Sequence, residues 1–381
     1  MTSPPEIAYP PPRAFIHDGS GRRIAELRDA ALKRAYRTMQ VSRALVVIPE
    51  NDPQLALCDP REGRFLVISS TLYPYVWAGS IATIEGIPSA GIIQIEARSY
   101  EGVLQERFLP SGFSVDGTPR AVFRALWDAV EQENPTGVSL SPDLAAGQPF
   151  DETAYGDRSL FDAWNLVAQQ TGHEWWLEHE VVNGVLTTQA QFRPARGQDR
   201  TADVRLVVGP WANVRVNRWR DSVEGAQHRI RAVGGATSAT QAFSERSRVE
   251  RRLGKAPVST AALVTAANSR HGYDFGKWPT GDSVLTRGER LAILENVRGE
   301  GALAIAAESL LRQGRTAQRA ADIEIQASAD LWRYCTPGDV IRLTLPAPYF
   351  VDGIDAVVAI MDTEIAEELG TLRLNIEIPA A

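Results

Sequence analysis

Apolar and polar positions alternate in short bursts through the first hundred residues. After a Pro-rich lead come "RALVVIPEND" (43–52), "GRFLVIS" (63–69), "YVWAGSIATIE" (75–85) and "GIIQIEARSY" (91–100). These are β-branched runs separated by Asn, Asp, Pro, Gly or Ser, the punctuation of a sheet of short strands. On the last run Ile93, Ile95 and Ala97 fall on one face and Gln94, Glu96 and Arg98 on the other. One face of the sheet therefore packs, and the other is left to solvent or to a neighbour.

The period then changes. Thr118 before Pro119 is a helix start, and Val122, Phe123, Leu126, Trp127 and Val130 form one stripe at helical spacing. Ser159 with Asp162 three residues on reads as a capping box, followed by a stripe of Leu160, Phe161, Trp164, Val167 and Ala168 and a stop at Gly172. The stretch "HEWWLEHEVVNGVLTTQAQFRP" (173–194) alternates around Asn183-Gly184, the signal of a tight hairpin turn that needs positive φ. Residues 118–195 are thus predicted to form a small α+β unit.

Strands return in "DVRLVVGPWANVRVNRWRDS" (203–222) and "HRIRAVGG" (228–235). Residues 236–300 are polar with few apolar repeats and read as an irregular excursion. Leu303, Ala306, Ala307, Leu310 and Leu311 mark a helix closed by Gly314. The chain then runs through "ADIEIQAS" (321–328), "TPGDVIRLTLP" (336–346), "AVVAIMDTEIA" (356–366) and "GTLRLNIEIP" (370–379). Front and rear share an order: a strand, a Pro/Gly pause, a longer strand, and a hairpin whose second arm alternates. Two similar β units in one chain give a homotrimer six equivalent positions about an axis, because a closed ring needs repeated complementary surfaces, not identical ones.

Composition narrows the function. With 381 residues, 44% hydrophobic and 8% aromatic, the chain can bury two or three cores. Its formal net charge of −7 leaves no cationic excess for a general grip on nucleic acid. Cys58 and Cys335 match no metal or redox spacing and read as buried small hydrophobes. The "MTSPPEIAYPPPRAFIHDG" start lacks the apolar run of a secretory signal, and no stretch has the ~18–20 apolar residues of a membrane span. A soluble protein made in the cytoplasm is the expectation.

Candidate chemistry concentrates in "HEWWLEHE" (173–180). A zincin helix would need a second His four residues after His173, where Leu177 stands, and the inverted motif would need His at Trp175. As a strand the segment puts His173, Trp175, Leu177 and His179 on one face and Glu174, Trp176, Glu178 and Glu180 on the other, with the histidines too far apart to share a metal. Glu174 and Glu178 lie roughly 13 Å apart at ~3.3 Å per residue, outside the spacing of a glycosidase acid–base pair, whereas Glu178 and Glu180 come within range. Polar edges of a Trp-anchored hairpin is the preferred reading. There is no Gly-x-Ser-x-Gly elbow, Walker loop or dinucleotide fingerprint, and "AVGGAT" (232–237) reads as a turn. The run "RSRVERRLGK" (246–255) lacks interleaved aromatics and reads as a solvated loop. Trp211, Trp219, Trp278 and Trp332 read as core or interface anchors before a sugar platform. No catalytic, cofactor-binding or metal-binding residue is assigned.

The segment "VWAGSIATIE…GIIQIEARSYEGVLQERFL" resembles the front barrel of the tail hub proteins of tailed bacteriophages, in which a W-x-G-x-I strand leads to one ending A-R-S-Y-E-x-x-L-x-x-R. "PGDVIRLTL" with "AVVAIMDTEIAEELGTLRLNIEIP" resembles their closing barrel, and "SLFDAWNLVAQQTGHEWWLEHEVVNGVLT" their inserted domain. The likeness spans most of 40–235 and 300–380. It implies a mainly β fold with an α+β insertion: a Pro-rich segment (1–40), a first tube-type β-barrel (41–115), an inserted α+β domain (116–200), the start of a second barrel (201–235), an irregular arm (236–300), and a helix with the rest of the second barrel (301–381). It further implies a structural, non-enzymatic virion protein without cofactors, assembled in the host cytoplasm and placed at the virion tail tip. There, three copies would form a pseudo-sixfold hub that adapts the sixfold tube to the threefold tip and frames the DNA channel. Its partners would be the distal tail and tail tube proteins, a tip fibre or spike, and the tape measure protein. A net negative charge would suit a channel that DNA must not stick to. Two alternatives stand beside this reading: an envelope-degrading glycosidase using Glu174, Glu178 or Glu180, and a carbohydrate- or receptor-binding tail module using Trp278.

Overall fold

The computed structural model describes residues 13–28, 30–69, 75–147, 149–209, 214–222, 229–234, 262–265, 289–294, 318–326, 334–347, 353–366 and 370–378. The chain is mainly β with a small α+β portion, as its alternation predicts. Its front consists of β1 (Arg13–His17), β2 (Arg23–Leu27), β3 (Ala31–Arg37), β4 (Arg43–Pro49), β5 (Phe65–Ser69), β6 (Trp77–Ile87) and β7 (Ile92–Ser99), followed by a single helical turn, α1 (Glu101–Leu104). These strands are hydrogen-bonded in the order β2-β1-β5-β6-β7-β4-β3. On β7, Ile95 and Ala97 are wholly buried while Gln94, Glu96 and Arg98 face the other way, so the predicted faces are realised. Residues 13–37, set apart in sequence as a Pro-rich lead, hold three of these strands. In "ALKRAYR" the inward positions are Leu32, Arg34 and Tyr36, all buried, and the arginine in that series disguises the alternation.

The inserted unit contains β8 (Ser114–Gly117), α2 (Pro119–Glu133), β9 (Val138–Leu140), β10 (Phe150–Ala154), α3 (Leu160–Thr171), β11 (Glu174–Val182) and β12 (Val185–Arg193). Both helices start where their caps dictate. The Thr118 hydroxyl accepts from Ala121 N at 3.3 Å and the Ser159 hydroxyl from Asp162 N at 3.1 Å, each satisfying one of the amides that a helix start leaves without a partner. Gly172 ends α3 at φ 68°, and Asn183 and Gly184 turn the β11–β12 hairpin at φ 51° and 79°, conformations that cost glycine and asparagine little. Around these elements Phe123 stacks on Trp164 at 4.2 Å and on Phe192 at 4.6 Å, and Trp164 meets Trp175 edge-on at 5.2 Å. Phe15, Val67 and Ala78 of the front sheet join this core. That is why β5 buries Leu66, Val67 and Ile68 in succession and not alternately.

The rear consists of β13 (Arg205–Val207), β14 (Val214–Ser222), β15 (Arg229–Gly234), β16 (Ala262–Thr265), β17 (Glu289–Leu294), β18 (Gln318–Gln326), β19 (Val340–Leu345), β20 (Ile354–Ala366) and β21 (Thr371–Ile378). Two points differ from expectation. The excursion carries order: "ALVT" and "ERLAIL" are short aliphatic runs that pair with β15, the latter in parallel. For the same reason β15 belongs to this separate three-stranded sheet and not to the rear strands it follows. The helix expected at 303–314 lies outside the described residues.

The rear repeats the front. Hydrogen-bonded order in the front is β3-β4-β7-β6-β5, and in the rear β14-β18-β21-β20-β19. The long hairpin strand of each is interrupted at the same place, β6 between Ile81 and Thr83 and β20 between Ile360 and Asp362. The two halves are also spliced. One edge of β20 pairs first with β19, through residues 354–359, and then with β3, through residues 362–366. Front and rear therefore form one continuous sheet over a shared core that runs from Ala14 to Ile378.

Candidate functional site

Strands that bury one face leave the other to be explained. The outward face of β3, β4, β7, β14, β18, β20 and β21 contributes to a concavity of about 910 Å³ in which charged and amide side chains stand among small and aliphatic ones. Its charges are interleaved. Lys33 meets Glu364 at 2.6 Å and Arg43 meets Glu96 at 2.6 Å, while Arg373 lies between Asp322 at 3.4 Å and Glu364 at 3.5 Å. Arg37 stands 3.9 Å from Asp362, whose other oxygen accepts from Asn375 at 3.4 Å. Asn217 donates to Glu324 at 3.2 Å. Burial raises the Asp362 carboxyl above the usual range, with Arg37 and Asn375 pulling the other way, and burial alone raises Glu377. Exposed pairs of this kind contribute about 0–1 kcal/mol each to stability. Their consequence is chemical: guanidinium groups already matched to carboxylates are poor clamps for phosphate.

The "HEWWLEHE" segment becomes β11 and its approach. His173 places Nδ1 3.0 Å from Thr171 O and stacks on Phe192 at 5.1 Å. His179 places Nδ1 3.0 Å from Thr188 Oγ1, and burial lowers its pKa to about 3. Glu174 accepts from Arg196 N at 2.8 Å, its pKa raised by burial. Glu178 accepts from Trp176 Nε1 at 3.0 Å and from Gln191 Nε2 at 2.9 Å. Arg196 reaches across to Arg37 O at 3.3 Å and lies 5.7 Å from the centre of the Trp176 ring. Glu178 and His179 thus brace the hairpin internally, and Arg196, which holds Glu174, ties it to β3. Among the described residues no group of three or more His, Cys, Asp or Glu side chains could hold a metal ion.

A cleft of about 640 Å³ between the hairpin and the front sheet nonetheless counts Glu178, Glu180 and Glu101 among its lining residues. Sequence reading passed over Glu101, which sits at the first position of α1, because nothing local marks it as buried. Burial raises its pKa, with a hydrogen bond from Ser99 opposing the shift. Of the four tryptophans singled out, Trp219 is exposed on β14, and Trp211, Trp278 and Trp332 lie outside the described residues. Cys58 and Cys335 are buried thiols whose pKa values burial pushes up to about 11 and about 12.

No protein-family model matches the chain, and no curated protein matches it. Solved structures do. A tail protein from Neisseria meningitidis MC58 superposes with a TM-score of 0.59 over 96% of this chain and 96% of its own, at 14% identity. The 43 kDa tail protein of prophage MuSo2 from Shewanella oneidensis gives 0.59 over 97% and 98%, at 12% identity. Prophage tail protein gp18 from Listeria monocytogenes EGD-e gives 0.56 over 96% and 94%, at 9% identity. At such identities the likeness is one of fold, and it extends over nearly the full length of each chain.

Proposed function

We propose that the chain is a structural, non-enzymatic component of a phage-type tail, three copies of which close into a hub ring at the distal end of the tail tube. The observation that carries this reading is the duplicated strand order joined by a splice inside one chain. A molecule that already places two similar β units side by side supplies one third of a six-position ring, and rotation about a threefold axis supplies the rest. The full-length likeness in fold to three tail proteins supports the same reading. In it, the two units are tube-type barrels and the polar concavity turns toward the bore. The inserted α+β unit lies outside, available to distal tail, tape measure or fibre proteins. A face on which Lys33, Arg37, Arg43 and Arg373 are paired with carboxylates suits a passage for DNA, since those cations are already matched and offer phosphate little. This replaces net negative charge with local pairing as the reason DNA would not stick.

Sedimentation and negative-stain imaging of the full chain test the proposal. The expected particle has three times the 41.7 kDa chain mass, threefold symmetry and a central opening. A monomer at every concentration, or an assembly without a bore, would sink it. The cleft beside Glu101, Glu178 and Glu180 favours a second reading, a glycosidase acting on envelope polymers. Incubation with purified cell-wall glycan is expected to release no reducing ends. Release that Glu101→Gln or Glu178→Gln abolishes would establish the enzyme instead.

A further inference from the structure

The internal repeat fixes residue equivalences, and these specify a contact that one copy cannot make with itself. In the rear unit β20 has its first half against β19 and its second half, Asp362–Ala366, against β3 of the front unit. The equivalent strand in the front, β6, has its first half against β5 through Trp77–Ser80. Its second half, Thr83–Ile87, pairs on one edge with β7, and among the described residues no strand takes the other edge. The rear counterpart of β3 is β14, which among the described residues pairs only with β18 and ends the sheet. Each copy thus carries one half of the splice at each end.

The register follows from three ladders. The matched interruptions make Thr83 equivalent to Asp362 and Glu96 equivalent to Asn375. Through β7 and β21, Leu45 then corresponds to Asp322 and Ala44 to Ala321. Through β4 and β18, Lys33 corresponds to Arg218 and Arg34 to Trp219, so that Ala35 corresponds to Arg220. Within one chain Glu364 stands opposite Ala35 and bonds diagonally to Lys33 at 2.6 Å. Transferred to the open edges, Glu85 stands opposite Arg220 of the next copy and diagonal to its Arg218, while Gly86 stands opposite Trp219.

We infer that the occupant of the β6 edge is β14 of a second copy of this chain, added antiparallel with Glu85 between Arg218 and Arg220; this rests on the ring reading above. Facing and chemistry agree with this register. Glu85 is exposed on the outward face of its strand, as its equivalent Glu364 is on the face that lines the polar concavity, and Arg218 and Arg220 line that concavity too. Gly86 lies on the inward face with Ile84, which packs on the core, and Trp219 is opposite core-facing Ala321 and 42% exposed. A slip of one residue would set Glu85 against the indole and leave both arginines facing apolar positions. An indole laid over a strand glycine restores the packing that the missing side chain forfeits. The contact is head-to-tail, so it builds no two-fold dimer, and it closes a ring where its rotation is one third of a turn.

Paired cysteines in the full chain test the inference. After mild oxidation with copper phenanthroline, Glu85→Cys/Arg220→Cys should form a covalent ladder ending at three chains. Each single variant alone should form none, and a mixture of the two single variants should stop at two chains. Glu85→Arg should weaken association about tenfold, the order set by reversing one charge at an interface, and Arg220→Glu added to it should restore association. Near-ultraviolet circular dichroism shows that each variant is folded. If wild-type rings form but no ladder appears and Glu85→Arg associates normally, the register is wrong while the hub reading stands. If no ring forms at all, both fall.

Discussion

Phe123 sits where three aromatic rings converge, so its loss cannot be repaired by a neighbour. Phe123→Ala is expected to cost about 3–5 kcal/mol, the range for truncating a fully buried aromatic, read as a lowered urea midpoint at unchanged slope. Gly197 and Gly338 face each other so closely that a Cβ on Gly197 would stand 2.2 Å from the Gly338 carbonyl carbon. Gly197 also has φ 89°, so Gly197→Ala both strains its own backbone and pushes 338–339 away. A loss larger than that of Gly63→Ala, where a Cβ meets nothing within 4 Å, is the expected result. His179 supplies a pH dependence. Its folded pKa, about 3, lies below the ordinary 6.5, so between those values the unfolded chain binds the proton and the folded one does not. Stability attributable to His179 is complete above pH 6.5 and falls as the pH drops toward 3. Thermal melts of His179→Gln should show a shallower decline over that window, against which Glu101 and Glu174, with raised pKa values, contribute the opposite slope.

At the scale of elements, helix starts are local chemistry and were legible. Thr118→Ala should cost about 1 kcal/mol, measured in the same urea titration, because Ala121 N loses its acceptor. The hairpin at Asn183-Gly184, the stops and the alternation of β7 were likewise written within a few residues of each other. Strand neighbours were not. Alternation assigns each side chain to a face but not to a partner, and β3 meets β20 across more than three hundred residues of chain. Nor did sequence disclose the pairing on the polar face, since Lys33 and Glu364 lie at opposite ends of the chain. Arg34 misled for a related reason: a guanidinium at an inward position breaks the apolar period that would have marked residues 31–37 as a strand. In the candidate site the tryptophans and glutamates of β11 were found from pattern, whereas Glu101 needed the cleft to be seen.

For the molecule as a whole, the splice makes front and rear a single cooperative body. Ala35→Pro removes an amide from a strand flanked by β4 and β20 and should destabilise the splice, read as a lowered melting temperature. Calorimetry is expected to resolve two transitions in place of one, since the halves would then melt separately. The double partnership of β20 also bears on how the chain is born. While a ribosome has yet to deliver the residues beyond 350, β3 waits with one flank bare, and among the described residues so does the edge of β6. Nascent molecules would therefore carry two adhesive borders at once, one to be sealed by their own last strands and the other, in the proposed ring, by a sibling.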